Sequence, residues 1–158
     1  MNVSEFISHI KCSGAPTDPG IIDDLEFEID GGLPSEYRQF LNRCNGGYVN
    51  GSLGFESGGK AGTVTIHAVG GGEHGLWLTN RREDFWGRIP EQLRWIMSDP
   101  FGNGFLLGVN GDARGRIYFW FMEEELGQAP DAPLSNRTDI QLIANSFDDL
   151  LVGLRHRA

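Results

Sequence analysis

The chain has 158 residues, and its 13 basic and 22 acidic side chains give a formal net charge of −9. This length suffices for one domain with its own hydrophobic core, so we expect a single domain over residues 1–158. The acidic charge argues against direct binding to nucleic acid, and the lack of any apolar run of ~20 residues argues against a membrane span.

Three amphipathic helices are predicted in the first third of the chain, each ended by glycine or proline. Asp18 is predicted to cap the second helix, with Pro19 at its first position. Pro34 is predicted to begin the third helix, which Asn45-Gly46-Gly47 ends. The apolar faces comprise Val3, Phe6, Ile7 and Ile10 in the first helix, Ile21 or Ile22, Leu25 and Ile29 in the second, and Tyr37, Phe40, Leu41 and Cys44 in the third.

The next segment changes to a strand-like pattern. Tyr48-Val49 and residues 63–66 are predicted strands on either side of a glycine-rich excursion within residues 51–75. Residues 70–82 have no sustained period, and we expect mainly loop there, with a brief strand near residues 76–78 and a helical turn around residues 83–87.

Residues 95–125 are predicted to form three strands in the middle of an antiparallel sheet. Both faces of this ribbon are apolar, so we expect it at the centre of the sheet, with helices on at least one flank. Before the turn, Phe105, Leu107 and Val109 point to one face and Leu106 to the other. After the turn, Ile117, Phe119 and Phe121 alternate with Tyr118, Trp120 and Met122.

The last part of the chain is predicted to contain a surface connection over residues 127–137, a strand over residues 140–144, and a helix capped by Asn145 or Ser146. The basic residues Arg155, His156 and Arg157 are predicted at the C-terminal end of this helix, where cations suit the helix dipole. The predicted fold is therefore α+β: a mainly antiparallel central sheet flanked by about four helices.

Several motifs that suggest chemistry lack a required part. Residues 54–61 have the spacing of a phosphate loop, but Ala61 stands where Ser or Thr is needed, so we favour a flexible turn. The glycines of residues 70–75 are not followed by the helix that a dinucleotide site needs. The loop that begins at Asn110 has Arg114 and Phe121 at calcium-ligand positions, so we favour a hairpin turn.

Metal binding and nucleophilic catalysis have weak support. His67, Glu73 and His74 have no specific metal-ligand spacing, and we favour a structural, half-buried role for His67. Cys44 is predicted to be a core residue, and neither cysteine has a histidine at a suggestive spacing. We therefore expect no enzyme activity, no metal and no cofactor.

The chain lacks an export signal in residues 1–10, so we expect it in the cytoplasm. The negative charge has two interpretations that stay open. It serves solubility, or it steers association with a basic protein partner.

Five short blocks in order along residues 21–154 resemble the SUKH superfamily, a bacterial immunity-protein group that also includes a fungal regulator of cell-wall assembly. The blocks are Leu33-Pro34-x-x-Tyr37-x-x-Phe40-Leu41 with Asn45-Gly46-Gly47, then Ile89-Pro90, Asp99-x-x-Gly102-Asn103, Gly115-x-Ile117-Tyr118-Phe119-Trp120, and Ile143-Ala144-x-Ser146-Phe147-x-x-Leu150-Leu151. The family often continues with Asp-His-Glu after the last central strand, whereas this chain has Phe121-Met122-Glu123. No family block matches the glycine-rich residues 51–75.

The resemblance implies a non-enzymatic protein that binds and neutralises a cognate toxin, with a basic nuclease as one candidate partner. The predicted partner-binding residues are Glu123, Glu124 and Glu125 at the end of the central strand, Asp112 in its turn, and Glu73 in the glycine loop. The alternatives are a scaffold or regulatory interaction module without a toxin partner and, less favoured, a small metal-dependent hydrolase. The oligomeric state stays open.

Overall fold

The computed structural model describes residues 1–11, 16–27, 29–70, 88–127 and 132–157. The helices in these ranges are α1 (Val3–Ser8), α2 (Pro19–Glu26), α3 (Ser35–Leu41) and α4 (Phe147–Gly153). The strands are β1 (Ile10–Lys11), β2 (Gly47–Gly58), β3 (Gly62–Val69), β4 (Leu93–Ser98), β5 (Gly104–Gly108), β6 (Ile117–Trp120), β7 (Ile140–Ala144) and β8 (Arg155–Arg157). No helix in the described part of the chain is long and apolar enough to cross a membrane.

One antiparallel sheet organises the domain. Its strands follow the order β1-β2-β3-β4-β5-β6-β7, and β8 pairs with β2 beside β1. Each strand from β2 to β7 thus pairs with its neighbour in the sequence, as hairpin connections allow. The predicted α+β fold with a mainly antiparallel central sheet is confirmed.

The central ribbon is buried on both faces, as its apolar alternation predicts. Phe105, Leu107 and Phe119 belong to a large core cluster that the helices cover with Phe6, Tyr37, Phe40 and Phe147. Leu106, Tyr118 and Trp120 point to the other face and form a smaller cluster with Leu93, Trp95, Ala113 and Ile140. Ile89, Met122 and Leu134 pack against that smaller cluster.

The predicted helices form, but the first three are shorter than expected. Asp18 caps α2 as predicted, accepting a hydrogen bond of 2.7 Å from the amide of Gly20. Ile10 lies in β1 rather than in the first helix, because it pairs with Val49 of β2. Ile29 and Cys44 are buried as predicted, although both lie beyond the ends of their helices.

The glycine-rich stretch after Tyr48 is a hairpin and not an excursion. β2 continues to Gly58 and β3 begins at Gly62, so the phosphate-loop-like residues 54–61 form strand and turn. Gly58 and Gly62 have positive φ angles of 68° and 56°, which glycine adopts at little cost. The turn folds across to β7, where Gln141 donates to the carbonyl of Gly58 and accepts from the amide of Ala61.

The C-terminal basic residues also differ from the prediction. Helix α4 ends at Gly153, and Arg155, His156 and Arg157 form the edge strand β8. Leu154 has an extended backbone and a buried side chain, which directs the following residues along β2. The brief strand expected near residues 76–78 and the helical turn expected around residues 83–87 lie outside the described residues.

Candidate interaction surface

The acidic segment Met122–Gly127 follows β6 directly and carries three of the predicted partner-binding residues. Residues 95–125 are therefore not strand throughout, because β6 ends at Trp120 and the chain continues as a 3₁₀ helix. The amide of Phe121 makes the last bond to the neighbouring strand region, 2.8 Å from the carbonyl oxygen of Asp139. The amide of Glu124 then donates to the carbonyl of Phe121 at 3.0 Å, which turns the chain.

The side chains of this segment differ in their exposure to solvent and in their ion pairing. Glu123 is exposed to solvent. Glu124 is half-buried and pairs with Lys60 from the β2–β3 turn. The Lys60 ammonium group also lies 5.0 Å from the ring centroid of Phe121, a cation–π distance. The charge of Glu124 is thus partly compensated within the molecule, whereas Glu125 is described only through its backbone.

Asp112 is exposed but lies at the other end of β6, in the 3₁₀ turn Gly111–Ala113 between β5 and β6. β6 has four residues and rises about 3.3 Å per residue, so the strand alone separates the two ends by about 13 Å. Arg114 fixes this end to the helical layer, since its guanidinium donates to the carbonyls of Val109 and Gly32 at 2.7 and 2.9 Å. The structure does not bring Asp112 together with Glu123.

Glu73 lies outside the described residues, as does His74. The predicted partner-binding residues therefore divide into the acidic segment, the distant Asp112, and Glu73, for which the structure gives no position.

A turn over residues 99–103 joins β4 to β5 at the same end as the acidic segment. The Asp99 carboxylate accepts from the amides of Phe101 and Asn103, both at 2.8 Å. Its second oxygen accepts from the Asn103 side chain at 2.9 Å. Asn103 in turn accepts a 3.2 Å hydrogen bond from the amide of Met122. The turn is therefore tied directly to the first residue of the acidic segment.

The side chain that this turn presents is Phe101, which is 88% exposed. No functional role for Phe101 was predicted from the sequence. Its only signal in the sequence is a large apolar residue between Pro100 and Gly102, both of which favour a turn. Whether such a residue is exposed depends on the packing around the turn and cannot be read from its neighbours.

Among the described residues, a fully buried ion pair lies against the small apolar cluster. Arg137 and Asp139 form an ion pair with no solvent-exposed side-chain surface, with N–O distances of 2.8 and 2.7 Å. The indole N–H of Trp120 donates to the same carboxylate at 2.9 Å, and Arg137 also donates to the carbonyl of Arg88 at 3.0 Å. Arg137 Nη1 has no hydrogen-bond partner within the described part of the chain.

Burial alone would raise the pKa of Asp139, but the hydrogen bonds from Arg137 and Trp120 and the charge of Arg137 outweigh it and hold the pKa below its ordinary value. The carboxylate therefore stays ionised. It lies inside the domain with no open face towards solvent, so the pair joins β6 to the chain before β7.

Cys44 and Tyr37 lie in the large core cluster, and His67 lies on the surface. Cys44 is buried. Burial of the Tyr37 phenol, and to a smaller extent the electrostatic effect of Cys44, raises the pKa of Tyr37. The Tyr37 hydroxyl donates a hydrogen bond to the carbonyl of Gly70 at 2.9 Å. His67 is exposed rather than half-buried and packs against the Tyr48 ring at 5.5 Å. No group of three or more metal-ligating side chains occurs among the residues that the structure describes.

Comparison with known families decides the classification. The sequence model of the SMI1/KNR4 family, SUKH-1, matches residues 16–153. The chain belongs to this family. The match confirms the resemblance that the sequence blocks predicted. None of the curated proteins searched matches the chain.

Two of the blocks that carried the SUKH-1 resemblance have clear structural roles. Asp99 and Asn103 hold the turn before β5, as described above. Gly115 has a φ angle of 83° and precedes β6, whose residues alternate between the two core clusters. In this SUKH-1 domain the blocks specify the scaffold, and the exposed side chains around it are the candidates for contact with a partner.

Proposed function

We propose that the protein is an immunity protein that neutralises a cognate protein toxin by stoichiometric binding, without catalysis. Membership in SUKH-1 supports this role, because the proteins that the sequence resembles typically bind and neutralise toxins. The observation that carries the proposal is the acidic segment, in which Glu123 is exposed shortly after the buried central strand β6 ends.

The proposed partner is basic, with a nuclease as the leading candidate. A net charge of −9 attracts a basic protein and raises the rate of encounter. Carboxylates of the acidic segment occupy the positive groove in which a nuclease holds phosphate, and so exclude the nucleic acid. Glu123 leads this contact because it forms no ion pair with the residues that the structure describes, whereas Glu124 first has to leave Lys60.

Asp112 and Glu73 have a smaller part in this proposal. Asp112 contributes only if the partner reaches around the end of the sheet, because β6 separates it from the acidic segment. Glu73 keeps the role that the sequence suggested, as a contact from the glycine-rich segment.

The test uses the purified product of the gene adjacent to the one encoding this chain, and its toxicity in a host cell. We expect the wild-type chain to bind this product in a one-to-one complex and to protect the host. The double variant Glu123→Lys/Glu124→Lys should weaken binding by at least tenfold, since like charges then face each other across the interface.

The matched control is Asp23→Lys/Asp24→Lys, which changes the net charge equally on the exposed surface of α2. Equal weakening by both pairs would remove the acidic segment as the site and leave only a general effect of charge. A wild-type chain that neither binds nor protects would refute the immunity role. A scaffold or regulatory module, the second candidate function, predicts a different neighbouring gene.

A further inference from the structure

We infer that Phe101 is the apolar anchor of the partner interface and inserts into a pocket on the toxin that is bordered by lysine or arginine side chains. This inference rests on the proposed function and adds to it the position and the chemistry of the contact. It concerns a residue that neither the sequence blocks nor the family match assigns.

The first observation is the exposure of the side chain. Phe101 is 88% exposed, although most of the aromatic side chains in the described part of the chain are buried in one of the two core clusters. A lone exposed aromatic residue is not unusual by itself. The way in which the chain holds this one is the second observation.

The backbone around Phe101 is fixed more firmly than a plain loop. Pro100 restricts one backbone angle of the turn, and Asp99 accepts the amide of Phe101 itself at 2.8 Å. The amide of Gly102 closes the turn on the carbonyl of Asp99 at 3.5 Å. A turn whose backbone is fixed before binding loses less conformational entropy on binding than a mobile loop does, which favours an anchor role for the side chain that it presents.

The third observation is the acidic segment that is bonded to this turn. The hydrogen bond from Met122 to Asn103 joins the turn to the acidic segment, and Glu123 is the next residue along the chain. A typical protein–protein interface has an apolar centre with polar and charged groups around it. The exposed carboxylate of Glu123 selects a partner whose pocket is bordered by cations, and this fits the basic toxin of the proposed function.

The chain provides a matched control for this anchor. Phe27, at the C-terminal end of α2, is 87% exposed, so it has the same side chain and nearly the same exposure. It lies near the opposite end of β5, because the connection just after it is bonded to Arg114 in the β5–β6 loop. Truncating either residue removes little buried surface, and both variants should fold as the wild type does.

The experiment measures binding of the adjacent gene product to the wild type, Phe101→Ala and Phe27→Ala by isothermal titration calorimetry. We expect Phe101→Ala to raise Kd by at least about 30-fold, the size of an interface hot spot, and Phe27→Ala to change it less than about threefold. Kinetic measurements should place the loss for Phe101→Ala in the dissociation rate. Glu123→Gln should instead lower the association rate and its dependence on salt.

Each outcome decides between the inference and its alternatives. Tight wild-type binding with an unchanged Kd for Phe101→Ala would overturn the anchor and leave the immunity role intact. A wild type that does not bind would overturn both. Sedimentation analysis without the partner tests a different occupant: self-association of the wild type that Phe101→Ala abolishes would assign the ring to contact with a second copy of this chain.

Discussion

Replacement of Arg137 by methionine should reverse the way in which stability depends on pH. Arg137→Met removes the guanidinium and keeps most of the side-chain volume, so Asp139 remains buried without its charged partner. Removing one member of a buried ion pair typically costs about 3–5 kcal/mol, and we expect this loss in the free energy of unfolding at pH 7.

The direction in which the free energy of unfolding changes with pH follows from the folded-state pKa of Asp139 in each protein. In the wild type the folded-state pKa lies below the ordinary value of 3.8, so this contribution to stability is present above pH 3.8 and is lost as the pH falls through the folded-state pKa. In Arg137→Met, the Asp139 carboxylate loses the hydrogen bonds and the charge of Arg137, although the hydrogen bond from Trp120 remains. The effect of burial then prevails, and the folded-state pKa of Asp139 rises. The contribution of Asp139 to the stability of the variant should therefore be lost as the pH rises above 3.8, and the difference from the wild type should grow.

Urea denaturation of both proteins between pH 3 and pH 7, followed by tryptophan fluorescence, measures this difference. The control is Arg137→Met/Asp139→Asn, which removes the unpaired charge but keeps an oxygen as acceptor for Trp120. It should recover about 2 kcal/mol at pH 7 relative to the single variant. A destabilisation of Arg137→Met that is constant across this pH range would refute the assignment of Asp139 as a buried, ionised group.

Two further substitutions test the supports of the candidate surface. Gly108→Ala would place a Cβ atom 1.7 Å from the carbonyl oxygen of Ala113, so the turn that carries Asp112 must shift; we expect a loss of about 1–3 kcal/mol in thermal unfolding, and an unchanged melting temperature would contradict this close approach. Asp99→Ala leaves the amides of Phe101 and Asn103 without their acceptor, which should cost about 1–3 kcal/mol in urea denaturation. Asp23→Ala is its control on an exposed position and should change stability by less than about 0.5 kcal/mol.

The centre of the fold was predictable because the alternation along β5 and β6 carries two kinds of information. It indicates a strand, and the apolar side chains on both faces indicate that both are covered. The helices were predictable in position from their apolar periodicity and from local signals such as Asp18 before Pro19. Their ends were less predictable, because Ile10 joins the sheet through a contact with the distant Val49.

Strands β2 and β8 show where local patterns fail. β2 contains several glycines, which have low strand propensity, and its extended form depends on pairing with three other strands. The Arg155-His156-Arg157 sequence of β8 has no apolar face and reads equally well as a basic helix end. Its strand form comes from pairing with Ser52, Leu53 and Gly54, which no local pattern contains.

Some features of the candidate surface were predictable from the sequence and others were not, and this difference has a physical reason. The acidic residues after β6 are visible in the sequence, but their separation from Asp112 depends on the direction of β6. The exposure of Phe101 was not predicted, because an apolar residue between proline and glycine in a turn can be buried as well as exposed. Exposure is a property of the assembled domain.

The block Asp99-x-x-Gly102-Asn103 unites these observations. Its specified residues hold the turn: Asp99 and Asn103 exchange hydrogen bonds, and Gly102 adopts a φ angle of 91° that side chains disfavour. Its two open positions are Pro100 and Phe101, and both are exposed. The specificity of a binding protein is a difference between its affinities for different partners. The hydrogen bonds between Asp99 and Asn103 hold the turn without the Phe101 side chain, so replacing Phe101 should change the affinity for a partner without a cost in stability.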